Sequence, residues 1–255
     1  MLLFPSNPRE CFELAVAAFD LADRLQTPVI ILSDLDLGMN DWMTDELEWD
    51  ESYRPDRGKV LGAEELEAAQ SFHRYLDKDG DGIPYRTFPG VHPKGAYFVR
   101  GSGHNKYGGY TENAREYQEV VDRLLRKWRT AAEIVPGPVI RRHPDSDGVG
   151  IVAVGSSDPA VTEAVDKLAE DGIHVDYCRI RAFPFGAEVE RFLADHERIF
   201  VVEQNRDAQL KALLTLETSC PKERLTSVLH YGGLPIDSRT VVDAVRNARL
   251  EGVSA

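Results

Sequence analysis

Three aspartates spaced two residues apart, in Asp77-Lys78-Asp79-Gly80-Asp81-Gly82, reproduce the first six positions of a calcium loop, with carboxylates at positions one, three and five and a glycine at the turn. Position twelve is Phe88, so the bidentate glutamate that completes such a loop is missing. Asp77, Asp79 and Asp81 are therefore expected to form either a weak calcium or magnesium site or a plain Asp/Gly turn, and not a sensor EF-hand. A second candidate is Val154-Gly155-Ser156-Ser157-Asp158, a strand-to-helix turn whose backbone N–H groups could face an anion. It lacks the further glycines of a dinucleotide fingerprint and any P-loop lysine, so an ordinary helix cap is the simpler reading. Val202-Glu203-Gln204-Asn205-Arg206-Asp207 closes an apolar run, at the strand end where open α/β sheets bind ligands; an interface role is favoured there. Asp34 and Asp36 stand just past another apolar run, with capping as the favoured use. His104 lies in a polar, glycine-rich loop without a second ligand beside it, and a surface histidine is the default. No G-x-S-x-G, C-x-x-C or H-E-x-x-H pattern occurs.

The elements that must carry these residues are well marked in places. Asn7, Pro8 and Glu10 specify a helix start, and Phe12, Ala15, Val16, Phe19, Ala22 and Leu25 give it one apolar face. Thr27-Pro28 stops it, and Val29–Leu32 follows as a short apolar run of the kind buried on both faces of a parallel sheet. One strand cannot make a sheet, so this opening segment needs partners from later in the chain or from another polypeptide. An acidic loop covers Asp41 to Lys59, a helix is expected over Ala63–Leu76, and a Gly- and Pro-rich stretch runs to Gly109. A strong helix follows over Glu112–Val135, with Tyr117, Val121, Leu124, Leu125, Trp128 and Ala132 on one face. Arg141–Gly148 is polar and turn-rich, and the main boundary is placed there. Beyond it, strands at Ile151–Val154, Ile173–Ile180, Ile199–Val202 and Leu225–His230 alternate with helices, ending at Arg239–Ala248. That alternation predicts a three-layer parallel α/β domain.

The chain has 255 residues, enough for one large or two small domains. Its 30 Lys and Arg against 43 Asp and Glu leave a net charge of −13, which repels phosphate backbones and anionic lipid and makes nucleic acid and membrane poor partners. No apolar run reaches membrane-spanning length. Cys11, Cys178 and Cys220 are few, odd in number and far apart, as in a reducing cytoplasm, and suit neither a disulfide framework nor a cysteine-held cluster.

Asn7-Pro-Arg-Glu-Cys-Phe-Glu-Leu-Ala15, Phe19-Asp-Leu-Ala22, Gln26-Thr-Pro-Val29, Ser33-Asp-Leu-Asp-Leu-Gly-Met-Asn40, Asp79-Gly-Asp-Gly-Ile-Pro-Tyr-Arg86 and Val202-Glu-Gln-Asn205 occur in an order and spacing that carry a resemblance. Together they resemble the C-terminal part of the alpha subunit of 2-oxoacid:ferredoxin oxidoreductases, within the pyruvate:ferredoxin oxidoreductase superfamily and particularly its 2-oxoglutarate type. The resemblance implies that residues 1–135 are the end of a pyrimidine-binding domain with its linker, and 149–255 a transketolase C-terminal-like domain. It further implies thiamine diphosphate and magnesium between this subunit and a beta subunit, an iron–sulfur cluster in that partner, and coenzyme A and ferredoxin at the level of the complex. The family's substrate loop and the glutamate that activates the aminopyrimidine have no counterpart in this sequence, so no catalytic residue is carried over. The chain is thus expected to be a natural split or, preferably, a truncation lacking the N-terminal half of the alpha subunit, inactive alone. The alternative is a stand-alone α/β module binding a ligand at Gly155–Asp158 or a metal at Asp77, Asp79 and Asp81.

Overall fold

The computed structural model describes residues 1–253, with side-chain surroundings through residue 248. In chain order its strands are β1 (Leu2–Leu3), β2 (Ile30–Ile31), β3 (Val139–Arg141), β4 (Val149–Val154), β5 (Asp176–Ile180), β6 (Ala182–Phe183), β7 (Arg198–Glu203) and β8 (Leu225–Leu229). The helices are α1 (Pro8–Leu25), α2 (Leu35–Gly38), α3 (Ala63–Ala68), α4 (Ala114–Ile134), α5 (Asp158–Glu170), α6 (Ala187–Ala194), α7 (Gln209–Glu217) and α8 (Ser238–Val253). Contacts gather the chain into two compact units: Met1–Val16, Ile30–Trp49 and the residues from Val135 onward form the first, and Ala17–Val29 with Asp50–Ile134 the second. The first unit thus draws in N-terminal residues that a division along the chain sets apart.

The first unit is built on a five-stranded sheet in the order β3-β5-β4-β7-β8, with β4, β5, β7 and β8 parallel as the alternation after Gly148 requires. Ile151, Ala153, Tyr177, Phe200, Val202 and Val228 pack under α5 and α8 on one face. α6 covers the other, where a side chain at Gly150 would run into Phe192 and His196. β3 pairs antiparallel with β5 at the edge, so the sheet is mixed. It lies at the border of the turn-rich stretch and exposes Val139 and Arg141, which left no apolar run to mark it. β5 begins at Asp176 and not at Ile173, because the Ile173 N–H closes the end of α5 on the Leu168 carbonyl, with Gly172 at φ 72° completing a Schellman-type stop.

A second, three-stranded sheet in the order β2-β1-β6 also belongs to this unit. The strand expected at Val29–Leu32 is only two residues long and is not buried on both faces: Ile30 is 53% and Leu32 44% exposed, and β2 stands at the sheet edge. Its partner β1 precedes it in the chain, and β1 in turn pairs antiparallel with β6. Two-residue strands carry no periodicity for a sequence reading to detect.

α1 starts as its residues specify, with the Glu10 N–H donating to Asn7 Oδ1 (2.9 Å). Its buried stripe is Glu10, Leu14, Leu21 and Leu25, while Phe19 is 77% exposed, so the helix is rotated from the apolar face counted in sequence. The Glu10 carboxylate receives two hydrogen bonds from the Arg179 guanidinium (2.6 and 3.0 Å) and two from Ser6, through N (3.0 Å) and Oγ (3.1 Å). Arg181 Nε lies 2.9 Å from its other side at ion-pair distance. Burial alone would push this carboxyl up, but the bonds and positive charge of Arg179, with Ser6 and Arg181, hold it below the ordinary glutamate value.

In the second unit, α3 stops at Ala68, well short of the expected Leu76. The residues beyond it pack against a later loop: Phe72 lies tilted against Tyr97, His73 edge-on to Tyr107 and Tyr75 tilted against His104. α4 turns its polar side inward: Arg123 Nη1 donates to the Gly82 carbonyl (2.8 Å), Thr130 Oγ1 to the Asp81 carbonyl (2.7 Å), and Lys127 Nζ to the Gln26 carbonyl (3.2 Å) and to Thr27 Oγ1.

Candidate functional site

Strand order decides where a ligand could enter. From β4 the chain crosses to β5 on one side and later returns to β7 on the other, so a switch point opens between the carboxyl ends of β4 and β7. A cleft of about 390 Å³ lies there. Leu2, Phe4, Leu32, Leu210 and Leu213 form its apolar walls, and Asp34, Ser156, Ser157, Glu203, Gln204 and Asn205 its polar ones. Three segments that the sequence singles out separately, Asp34, Gly155–Asp158 and Val202–Asp207, thus meet in one place within the first unit.

The polar groups of the cleft are bonded chiefly to one another. Ser156 Oγ donates to Asp34 Oδ2 (2.5 Å), and Gln204 Nε2 donates to Ser156 Oγ (2.9 Å) and, more weakly, to Ser157 Oγ (3.4 Å). Asp34 also caps α2, accepting from the Leu37 N–H (3.1 Å). A carboxylate of the chain itself therefore occupies the hydroxyl at the turn that the sequence offers to an anion. Glu203, 2% exposed, accepts from the N–H groups of Leu210 (2.6 Å) and Lys211 (3.1 Å) at the start of α7, and from Asn205 Nδ2 (2.9 Å). It serves as a distant N-cap. Replacing it by alanine leaves those donors buried without an acceptor, and chemical denaturation should show a loss of about 1–3 kcal/mol; an unchanged midpoint would mean that water caps α7 equally well.

The calcium-like loop folds into a different device, held in the second unit. Asp77 turns back on its own backbone, accepting from the N–H groups of Gly80 and Gly82 (both 2.9 Å), with Arg126 at 3.4 Å. Asp79 and Asp81 grip Lys59 instead: its Nζ donates to Asp79 Oδ2 (2.5 Å), Asp81 Oδ1 (2.8 Å) and the Ile83 carbonyl (3.2 Å). Burial opposes the charge on Lys59, but the bonds to the two aspartates outweigh it and raise its pKa, while Lys59 holds Asp79 below the ordinary aspartate range. Among the described residues, no group of three His, Cys, Asp or Glu side chains is arranged to hold a metal ion. The loop thus holds the Lys59 ammonium between Asp79 and Asp81, where the sequence left a weak cation site or a plain turn open. Lys59→Met tests this: calorimetric titration with calcium should give heat in the variant and none in the parent chain, whereas equal heats in both would show that Lys59 does not stand in for a cation.

Relatives place this arrangement. Over 242 residues the chain is 31% identical to subunit alpha of 2-oxoacid:ferredoxin oxidoreductase 2 from Aeropyrum pernix, a match covering 93% of this chain and 36% of that protein. The chain is homologous to part of the alpha subunit of 2-oxoacid:ferredoxin oxidoreductases. Ketoisovalerate oxidoreductase subunit VorB from Methanothermobacter thermautotrophicus is 28% identical over 252 residues, 96% of this chain and 59% of its own length. The 2-oxoglutarate synthase subunit KorA of the same organism is 26% identical over 208 residues, 80% of this chain and 52% of its own. The chain thus spans between about a third and three fifths of these curated relatives. The fold is shared with 2-oxoglutarate:ferredoxin oxidoreductase from Magnetococcus marinus, solved with 2-oxoglutarate, coenzyme A and succinyl-CoA bound (TM-score 0.74, 21% identity, 96% of this chain and 41% of that one). No family model matches the sequence.

In this alpha-subunit homologue, Glu203 does not fit the part of a pyrimidine-activating carboxylate, because its oxygens are committed to capping α7. Among the described residues, no basic side chain lines the cleft to meet a diphosphate. His104 packs against Tyr75 in the second unit, with rings 4.0 Å apart, whereas the cleft residues belong to the first. The three thiols are free. Burial raises all of them, Cys178 to about 12, so none is poised as a thiolate nucleophile. The sequence reading missed Lys59, whose partners lie 20 and 22 residues away.

Proposed function

We propose that this chain is the C-terminal part of the alpha subunit of a 2-oxoacid:ferredoxin oxidoreductase that oxidatively decarboxylates 2-oxoglutarate to an acyl-CoA and reduces ferredoxin. The observation that carries this reading is the identity to the Aeropyrum pernix alpha subunit along 93% of the chain. In the assembled enzyme, thiamine diphosphate and magnesium sit between the alpha subunit and a beta subunit that holds the iron–sulfur cluster, and the complex works in the cytoplasm. Three free thiols are in keeping with that compartment, and no helix among the described residues is long and apolar enough to cross a membrane. Residues 1–135 correspond to the end of the pyrimidine-binding domain and its linker, and 149–255 to the transketolase C-terminal-like domain. This chain supplies scaffold and subunit interface. A stand-alone ligand module gains only the cleft in its favour, and the hydroxyls and carboxylates there already bond to one another.

The test is reduction of a viologen dye with 2-oxoglutarate, coenzyme A, thiamine diphosphate and magnesium, with pyruvate and 2-oxoisovalerate in parallel. The chain alone should give no turnover, because orientation and electrostatic stabilisation by the rest of the site are missing. Activity should appear with the remaining alpha-subunit regions and the beta subunit, and be highest on 2-oxoglutarate. Turnover by the lone chain, or none in the full assembly, would reject the assignment.

A further inference from the structure

α4 presents its apolar side to solvent. Its polar inner face is spent on the loop ending at Ile83 and on the end of α1, while Tyr117, Val121, Leu124 and Leu125 are 55, 37, 44 and 53% exposed. Trp128 and Ala132, both half-buried, extend the same row. Such a stripe, about 100° wide and running most of a helix roughly 30 Å long, is a continuous apolar face of the kind that marks an interaction surface.

The row is complementary to itself when reversed. Laid antiparallel against a second α4, Tyr117 meets Ala132, Val121 meets Trp128, and Leu124 and Leu125 of the two copies close around the centre, so that large residues face small ones. The exposed charges bordering the row on one side are Asp122 and Arg129. Antiparallel pairing brings Asp122 of each copy within two residues, about 3 Å along the axis, of Arg129 in the other. Parallel pairing would put the flank that carries Asp122 and Arg129 on opposite sides of the seam in the two copies, so these charges would not meet. We propose that a second copy of this chain docks along this seam, α4 against α4, about a twofold axis between Leu124 and Leu125. This inference does not depend on the oxidoreductase assignment.

Sedimentation equilibrium of the chain should show a monomer–dimer equilibrium. Leu125→Glu should weaken it at least about tenfold, since it sets two like charges beside each other at the axis. Leu125 is 53% exposed, so the variant should melt like the parent. Asp122→Arg should also weaken the dimer, and adding Arg129→Asp should restore it. In a Cys11→Ser, Cys220→Ser background, Leu125→Cys should form a disulfide-linked dimer under mild oxidation. Tyr117→Cys should not, because its twin lies roughly 22 Å away along the seam. A monomer at every concentration, a dimer indifferent to Leu125→Glu, or equal cross-linking at positions 117 and 125 would each overturn the proposal. The first of these results would assign the seam to another alpha-subunit region or to the beta subunit.

Discussion

Glu10→Gln should lower the unfolding free energy of the first unit by about 3–5 kcal/mol, the usual cost of removing one partner from a buried ion pair. The carboxylate is 7% exposed and Arg179 6%, so water cannot replace the lost contact. The neutral amide would leave the Arg179 guanidinium buried against Asp158 alone, at 3.2 Å. The same carboxylate predicts acid sensitivity. Its folded pKa lies below the ordinary 4.5, so its contribution to stability is complete above pH 4.5 and fades as the pH falls through the lower folded value. Urea denaturation of parent and variant between pH 7 and pH 3 should show two curves far apart at neutral pH that converge in acid. Parallel curves would mean that Glu10 is not coupled to folding.

Gly82→Val should be the most damaging single change in the second unit. The residue sits at φ 82°, and a Cβ there would lie 2.2 Å from the Lys127 nitrogen and 2.7 Å from the Arg123 carbonyl, both backbone atoms of α4 that cannot swing aside. The left-handed backbone alone costs about 1–2 kcal/mol for a residue other than glycine. Forcing α4 away adds an overpacking cost of about 1–3 kcal/mol, and it pulls Lys127 from the end of α1. Lys127 is half-buried there, and its desolvation together with the neighbouring charges of Arg123 and Arg74 lowers its pKa to about 8. Hydrogen exchange should therefore rise across α4 and the 77–83 loop in the variant, while the strands β4 and β7 stay protected. Unchanged protection in α4 would show that the close approach is not needed for its packing.

Local chemistry was readable in the sequence and long-range partnership was not. The Asn7 cap depends on residues within a turn, and the structure contains it. The parallel core after Gly148 was legible because its strands are continuous apolar runs. The cleft was legible only in pieces, since Asp34 and Gly155–Asp158 each read alone as a helix cap and Val202–Asp207 as an interface segment, and only the strand order brings them together. Spacing at Asp77, Asp79 and Asp81 left a cation site and a plain turn open, because spacing cannot reveal a lysine arriving from position 59. Periodicity in α4 identified an apolar face correctly but could not say that the helix would turn that face outward.

The Glu10 contact spans 169 residues of chain. At a synthesis rate of about 5–20 residues per second, its arginine partners are made roughly 10–30 s after the glutamate. Residues 17–134, which supply the whole second unit, are all available in that interval. The second unit is then free to close first on the ribosome, while the N-terminal segment waits with an unneutralised carboxylate that favours hydration over premature burial. Pulse proteolysis of stalled nascent chains ending before and after Arg179 would show the N-terminal segment becoming resistant only in the longer ones.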